Sequence, residues 1–312
     1  MQAKFRFRPV SFSWVAVHPE PKGVIQFVGG AFFGTFPTIF YRYFLRKLFE
    51  EGYTIVTLPF RFSFRHWPLA IGLLREQDAL RQELTTLAIH LGYEHEIYNH
   101  KDRYLWIGHS LGCKYITLLE FLSGKQWPQA IEACIGRKER QRLENLVEAN
   151  GPEELSIKGQ PSLLIAPDIS NTESAIPVRA VAQLLDRLQL GVLPTREQTQ
   201  CLISGSDLFN LAALVSFKKD ELAGSITDGQ KSEEIQKNSD VLWLLRQLQL
   251  RRLPAINQEL PGKHLEPLGI QIGPYVVDFN PLDKFVELLS QRFLEKVVIQ
   301  FLDKLKQRAK DI

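Results

Sequence analysis

The residues best able to do chemistry are Gly108-His109-Ser110-Leu111-Gly112. They follow an apolar run, Tyr104-Leu105-Trp106-Ile107, and precede a helical stretch over 113–122. A serine hydroxyl is a weak nucleophile until a general base takes its proton. A sharp strand-to-helix turn exposes it to such a base. Glycines two before and two after make room for that turn, because side chains there would collide with the strand and the helix. The helix starting behind Ser110 also points unpaired N–H groups at the reaction centre. The pattern predicts a nucleophilic serine.

Such a serine needs a base and an acid, which follow it in the order serine, acid, histidine. Of the seven histidines, His264 alone lies beyond Ser110. It sits in Leu260-Pro261-Gly262-Lys263-His264-Leu265-Glu266-Pro267, a Pro-Gly turn after the last predicted strand. A loop there can hang a base over the serine. His109 is too close in sequence to be the base and is assigned to shaping the elbow or touching substrate. The acid holds the imidazole in one tautomer and stabilises the imidazolium. Asp220 follows the strand Ala213-Leu214-Val215-Ser216-Phe217, with a helix and a strand left before His264. Asp207 is its rival, but the next strand follows too closely to leave room for the intervening helix. Glu221 is a weaker candidate, as is Asp168, which suits an arrangement with the acid one strand earlier. The negative charge formed on attack needs two backbone N–H donors. Leu111 supplies one, and Ala31 or Phe32 in Gly29-Gly30-Ala31-Phe32-Phe33-Gly34 supplies the other.

The elements that must position these groups alternate. Residues 23–28 read as a buried strand, 37–51 as an aromatic-rich helix closed by Gly52, and 53–59 as a strand. Leu73, Leu80, Leu84, Leu87 and Leu91 mark an amphipathic helix over 69–91. Beyond the elbow come a charged helical insertion over 125–160, a strand over 162–168 and a helix over 177–190. A strand over 211–217, a helix over 240–250 and a strand over 253–259 complete the alternation. The C-terminal segment carries Phe293, Leu294, Val297, Val298, Phe301, Leu302 and Leu305 on one helical face. The first residues, MQAKFRFRPVSFSWVAV, alternate as one half-buried strand does. Strands alternating with helices imply an α/β class with a mostly parallel sheet covered on both faces. No repeat or linker divides the 312 residues, so 1–312 is expected to be one domain, with 125–160 and 169–210 as candidate cap segments.

Composition narrows the function. Basic and acidic residues nearly balance, 38 against 35, unlike the basic excess of nucleic-acid proteins. Gly29-Gly30 lacks the third glycine of a dinucleotide site, and no histidine pair has metal-ligand spacing. Neither a cofactor nor a metal is expected. Cys113, Cys134 and Cys201 cannot all pair and show no ligand spacing, which suggests a reducing compartment. No apolar stretch is long enough to span a membrane, and the N-terminus lacks the apolar core of a signal peptide. A cytoplasmic protein, or one peripheral to an internal membrane, is expected.

With these residues in hand, the chain resembles the α/β-hydrolase superfamily. The likeness rests on GHSLG, GGAFFG, FKKDELAG and PGKHLEPL. More narrowly, it is similar to a family of hydrolase-like proteins of unknown function from cyanobacteria and plant plastids, which share a G-G-A-F-x-G loop, a G-H-S-x-G-[CS]-K elbow and a late His-x-x-P turn. The resemblance implies an α/β-hydrolase fold with a helical cap insertion. It assigns the triad to Ser110, His264 and Asp220, and the oxyanion donors to Leu111 with Ala31 or Phe32. It supplies no substrate. Residues 31–49 are rich in phenylalanine and tyrosine, and Phe32 and Phe33 are candidates to line an apolar substrate pocket. Trp127, Leu184 and Leu185 are possible cap contacts, and Lys114 is expected to face solvent or cap a loop. Arg42, Arg46 and Lys47 could meet anionic lipid headgroups, though a solvated helix face accounts for them equally. The expected function is cleavage of an ester or thioester of an apolar acyl or prenyl group. The alternatives are an acyltransferase, or a non-catalytic protein that kept the fold. The sequence leaves the oligomeric state open.

Overall fold

A computed structural model describes residues 3–148, 156–169, 191–277 and 286–310. Eight strands form its main sheet: β1 (Arg8–Val10), β2 (Ser13–Ala16), β3 (Gly23–Val28), β4 (Tyr53–Thr57), β5 (Tyr104–His109), β6 (Ser162–Ile165), β7 (Ala212–Phe217) and β8 (Ile256–Leu260). Their order across the sheet is β1-β2-β4-β3-β5-β6-β7-β8. The strands from β4 to β8 run parallel, and the β1–β2 hairpin adds an antiparallel edge. The N-terminal alternation, read as one strand, is therefore two. Ser11, at a φ of 51°, reverses the chain between them.

β3, β5, β6 and β7 are buried at every position. Their near-continuous Val, Ile, Leu and Phe are what a strand covered on both faces requires. Alternate side chains serve two separate cores. Val24, Trp106, Leu164 and Leu214 pack with the helices α3 (His66–Leu91) and α4 (Leu111–Leu122). Ile25, Ile107, Leu163 and Val215 pack on the other face with Phe44 and Leu48 of the helix Arg42–Glu50, and with Val298, Phe301 and Leu302 of the helix Leu294–Lys310. The predicted apolar face of this last helix is buried except at Phe293, which precedes the helix and is exposed.

The helix expected over 37–51 is two pieces, α1 (Pro37–Phe40) and α2 (Arg42–Glu50). Tyr41 interrupts them with φ −105° and ψ 19° and is fully buried. Beyond α4, the segment expected as a charged insertion forms α5 (Trp127–Cys134) and α6 (Arg137–Glu148), and a later helix, α7 (Arg196–Ser204), packs against α5. Trp127 packs on the edge of the first core. The helix expected over 177–190, with Leu184 and Leu185, lies outside the described residues. A disulfide joins Cys134 of α5 to Cys201 of α7 across 67 residues. No spacing argument revealed that pair, and such a bond runs against the reducing compartment expected from the sequence. Among the described residues, no helix is long and apolar enough to cross a membrane.

Candidate active site

β5 ends at the centre of the sheet and delivers Ser110 at φ 55° and ψ −125°, a conformation rarely tolerated outside glycine. Three backbone bonds hold it: Ser110 N–H to the Ile165 carbonyl at 3.0 Å, and the N–H groups of Cys113 and Asp168 to the Ser110 carbonyl at 2.9 and 3.4 Å. The flanking glycines are steric necessities. A Cβ on Gly108 would lie 2.8 Å from Ile116 Cδ1 and 2.9 Å from the Cys113 backbone, and one on Gly112 would lie 2.1 Å from the Val28 carbonyl oxygen. The elbow helix thus packs directly onto the end of β3.

β7 and β8 bring the other two groups. Past β7 the chain keeps pairing with the end of β8. Lys218 N–H bonds the Leu260 carbonyl at 2.9 Å, and Lys219 N–H bonds Gly262 at 3.0 Å. This carries Asp220 beside the loop bearing His264. One carboxylate oxygen of Asp220 accepts the N–H groups of Leu222 and Ala223, both at 2.9 Å. The other lies 2.8 Å from His264 Nδ1, and His264 Nε2 lies 2.8 Å from Ser110 Oγ. All three side chains are largely buried. A carboxylate only accepts, so Nδ1 carries the proton, and bare Nε2 accepts the serine hydroxyl. The histidine loop is tied down in turn. Buried Arg292 donates to the carbonyls of Glu266 at 2.8 Å and Leu268 at 3.3 Å, and Gly269 N–H donates to the Phe40 carbonyl at 2.7 Å.

Asp207 and Glu221, weighed as acids, are exposed. Asp168 lines the cavity at Ser110 within electrostatic reach of Lys114, and it is the Asp220 carboxylate that meets His264 Nδ1. Lys114 does not face solvent. It is fully buried and donates to the Pro194 carbonyl at 2.8 Å, and burial pulls its pKa down to about 8 against the opposing pull of Asp168, Asp240 and Glu197. Cys113 is likewise buried, its thiol pushed up by desolvation.

A second chain of hydrogen bonds runs behind the serine. His109 Nε2 lies 2.8 Å from the His264 carbonyl oxygen, and His109 Nδ1 lies 2.8 Å from Tyr41 Oη. Gly30 N–H donates to the same tyrosine oxygen at 2.7 Å. A carbonyl accepts only, so Nε2 is the protonated nitrogen and Tyr41 O–H donates to Nδ1. Burial first, and His264 second, push the His109 pKa down to about 3, so the ring is neutral. The glycine-rich loop, the elbow and the histidine loop are thus joined through two side chains. His109, a candidate substrate contact, reaches the cavity, but both its ring nitrogens are spent on protein partners. Tyr41 was hidden in the sequence among the aromatics of residues 31–49.

Among the described residues, no acceptor meets the backbone N–H groups of Ala31, Phe32 or Leu111. All three residues line a cavity of about 170 Å³ in front of Ser110. Phe33 lines it too and packs edge-on against Phe40, while Phe32 is 61% exposed and stacks on Phe62. His66 also lines this cavity. It is a site residue the sequence did not single out, because a lone histidine opening a helix carries no motif.

A family described as a protein of unknown function (DUF1350) matches residues 6–128. No curated protein matches the chain in sequence. Solved structures do match. A carboxylesterase from Lactobacillus plantarum superposes with a TM-score of 0.53 at 13% identity, covering 97% of this chain and 98% of that one. A sugar hydrolase from Lactococcus lactis gives 0.53 at 12%, covering 98% of each chain. Esterase B of Lactobacillus rhamnosis, described with a tributyrin phosphonate, gives 0.52 at 13%, covering 96% of this chain and 82% of its own. Identity this low speaks to architecture alone. The chain has the α/β-hydrolase fold.

Proposed function

We propose that this protein is a serine hydrolase that cleaves a small ester or thioester through an acyl-enzyme. The reading rests above all on the continuous line from Asp220 through His264 to Ser110, 2.8 Å at each step, ending on a serine in a strained turn. Ser110 Oγ attacks the carbonyl carbon as His264 Nε2 takes its proton. The charge formed on the carbonyl oxygen is met by the N–H of Leu111 and that of Ala31 or Phe32. His264 then protonates the departing alcohol or thiol, and water repeats the sequence to free the acid. Asp220 keeps the proton on Nδ1 throughout and stabilises the imidazolium.

The apolar wall of Phe32, Phe33 and Leu265 favours an uncharged acyl or alcohol arm. The esterases among the structural matches favour the same chemistry. We read 1–312 as one catalytic unit, with 125–160 and 169–210 as its cap.

Labelling with a fluorophosphonate probe tests the reading. Wild-type protein should react, and Ser110→Ala and His264→Ala should not, while both keep the wild-type circular dichroism spectrum. Labelling that survives Ser110→Ala removes the assignment.

A further inference from the structure

His66 opens α3, with 1% of its surface exposed, on the wall of the cavity that holds Ser110. Its backbone is fixed by a short parallel bridge between Arg65 and Leu193. His66 N–H bonds the Leu193 carbonyl at 2.9 Å, and Leu193 N–H bonds Phe64 at 2.7 Å. Its ring stands edge-on to Tyr115, centroids 5.2 Å apart. Yet neither ring nitrogen makes a hydrogen bond of normal geometry, although the Ser63 backbone comes close enough to the ring to weigh on its protonation. A buried polar atom left unpaired weakens the fold, and here one side chain leaves two. Such atoms call for an explanation, and a ligand is the natural one where the atoms line a cavity.

The chemistry of that ligand can be narrowed. Burial, and then the positive charge of Lys114, hold the His66 pKa well below its ordinary value, with the Ser63 backbone opposing the shift. The ring is therefore neutral, with one N–H and one lone pair. Lys114 biases the spot towards an electronegative atom. A carboxylate is disfavoured, because Asp168 faces the same cavity and a buried anion needs a paired cation of its own. An uncharged oxygen fits: a hydroxyl can serve both nitrogens in turn, and a carbonyl can take the N–H. The other walls, Phe32, Phe62, Val192 and Leu265, offer their side chains only for apolar contact.

We propose that His66 is a specificity-determining residue that receives an uncharged oxygen, a hydroxyl or a carbonyl, carried on a short arm of the ester. The proposal rests on the reading of Ser110 as nucleophile. A site built to hydrogen-bond such a group discriminates against the analogue lacking it, because its own polar atoms are then left unpaired.

The test is a set of paired esters. On the acyl side, 4-nitrophenyl 3-hydroxybutyrate and 4-nitrophenyl 3-oxobutyrate are compared with 4-nitrophenyl butyrate. On the alcohol side, 2-hydroxyethyl butyrate is compared with propyl butyrate. Each kcat/KM is divided by the ester's own rate with hydroxide, which removes intrinsic reactivity. Wild-type enzyme should favour at least one oxygen-bearing ester about ten-fold or more over its partner. The side on which this occurs identifies the arm that meets His66. His66→Phe keeps a ring and removes both polar atoms, and should bring that ratio to about one. His66→Gln, which retains a donor and an acceptor, should restore part of it and still carries the test if the phenylalanine variant does not fold. Turnover of all esters without preference, or a preference unchanged in His66→Phe, overturns the proposal and leaves the nucleophile standing. No turnover of any ester, with no fluorophosphonate labelling, removes both.

Discussion

Two groups of buried polar side chains flank Ser110, and they differ in how completely their hydrogen bonds are made. In the group that runs from the loops after β7 and β8 to the end of β5 and the loop after β3, Asp220, His264, His109 and Tyr41 have partners at every polar side-chain atom, linked into two chains that meet at His264. On the side of α3 and α4, His66 makes no hydrogen bond of normal geometry at either ring nitrogen, and Oη of Tyr115, whose ring packs on it, is unpaired. Burial is nearly the same in the two groups. A saturated network fixes tautomers and distances before any substrate arrives, which is what electrostatic preorganisation demands. An unsaturated one keeps hydrogen-bonding capacity in reserve at a cost in stability. The first has the character of machinery and the second of a receptor.

The comparison breaks most visibly where a saturated link is inverted without being removed. In Asp220→Asn, the amide oxygen can still accept Leu222 and Ala223 N–H while the amide N–H₂ faces His264 Nδ1. The imidazole must then place its proton on Nε2 and cannot accept the serine hydroxyl. Turnover of an activated ester is expected to fall by roughly 10³–10⁴-fold with little change in KM. A fall of less than ten-fold in a folded variant would show that Asp220 is not the orienting acid.

Tyr41→Phe is the next largest perturbation. One lost oxygen strips Gly30 N–H of its acceptor and His109 Nδ1 of its donor, so two buried groups become unpaired. At about 1–3 kcal/mol for each, the variant should lose ~2–6 kcal/mol in urea unfolding. If the proposed roles hold, activity should drop by about 10–100-fold, because the loop of Gly30, Ala31 and Phe32 and the loop of His264 lose their common tie. Unchanged activity alongside lost stability would make Tyr41 a packing residue only.

Tyr41 also marks where the sequence stops being readable. The elbow was legible because Gly108 and Gly112 are dictated by contacts of 2.1–2.9 Å that no side chain survives. That His264 would meet Ser110 was legible by chain order, and that Asp220 would meet His264 by its distance past an apolar strand. The parallel sheet followed from apolar runs that only doubly covered strands need. Tyr41, His66 and Arg292 were not, because each acts through a partner remote in sequence: His109, the cavity wall, and the carbonyls of Glu266 and Leu268. The break between Pro37–Phe40 and Arg42–Glu50 is likewise set by where the Tyr41 hydroxyl must go, and helix periodicity carries no trace of it. The Cys134–Cys201 link depends on α5 and α7 being neighbours, which spacing cannot report.

A smaller effect follows from protonation. His109 titrates near 6.5 when unfolded and about 3 when folded. Between those values the unfolded chain binds a proton that the folded one refuses, so stability falls as pH drops from 6.5 towards 3, by about 1.4 kcal/mol per pH unit at most. His109→Gln can still donate to the His264 carbonyl but does not titrate. Measured by urea unfolding across pH 4.5–6.5, its slope should be shallower than wild type by up to one proton. Equal slopes would mean that His109 is hydrated in solution and that the chain behind Ser110 is looser than its distances imply.

The smallest expected change is also the sharpest test of the contrast. Tyr115 and Tyr41 are both fully buried, and their rings pack edge-on to His66 and His109 respectively. They differ in that Tyr41 Oη serves two partners and Tyr115 Oη serves none. Removing an oxygen that makes no bond removes a desolvation cost and leaves nothing else unpaired. Tyr115→Phe should therefore be neutral or stabilising, by no more than about 1 kcal/mol, against a clear loss for Tyr41→Phe. If both substitutions destabilise alike, Tyr115 Oη is bonded to an ordered water. The α3–α4 side would then be saturated in solution, and its polar atoms would be committed to solvent before any substrate reached them.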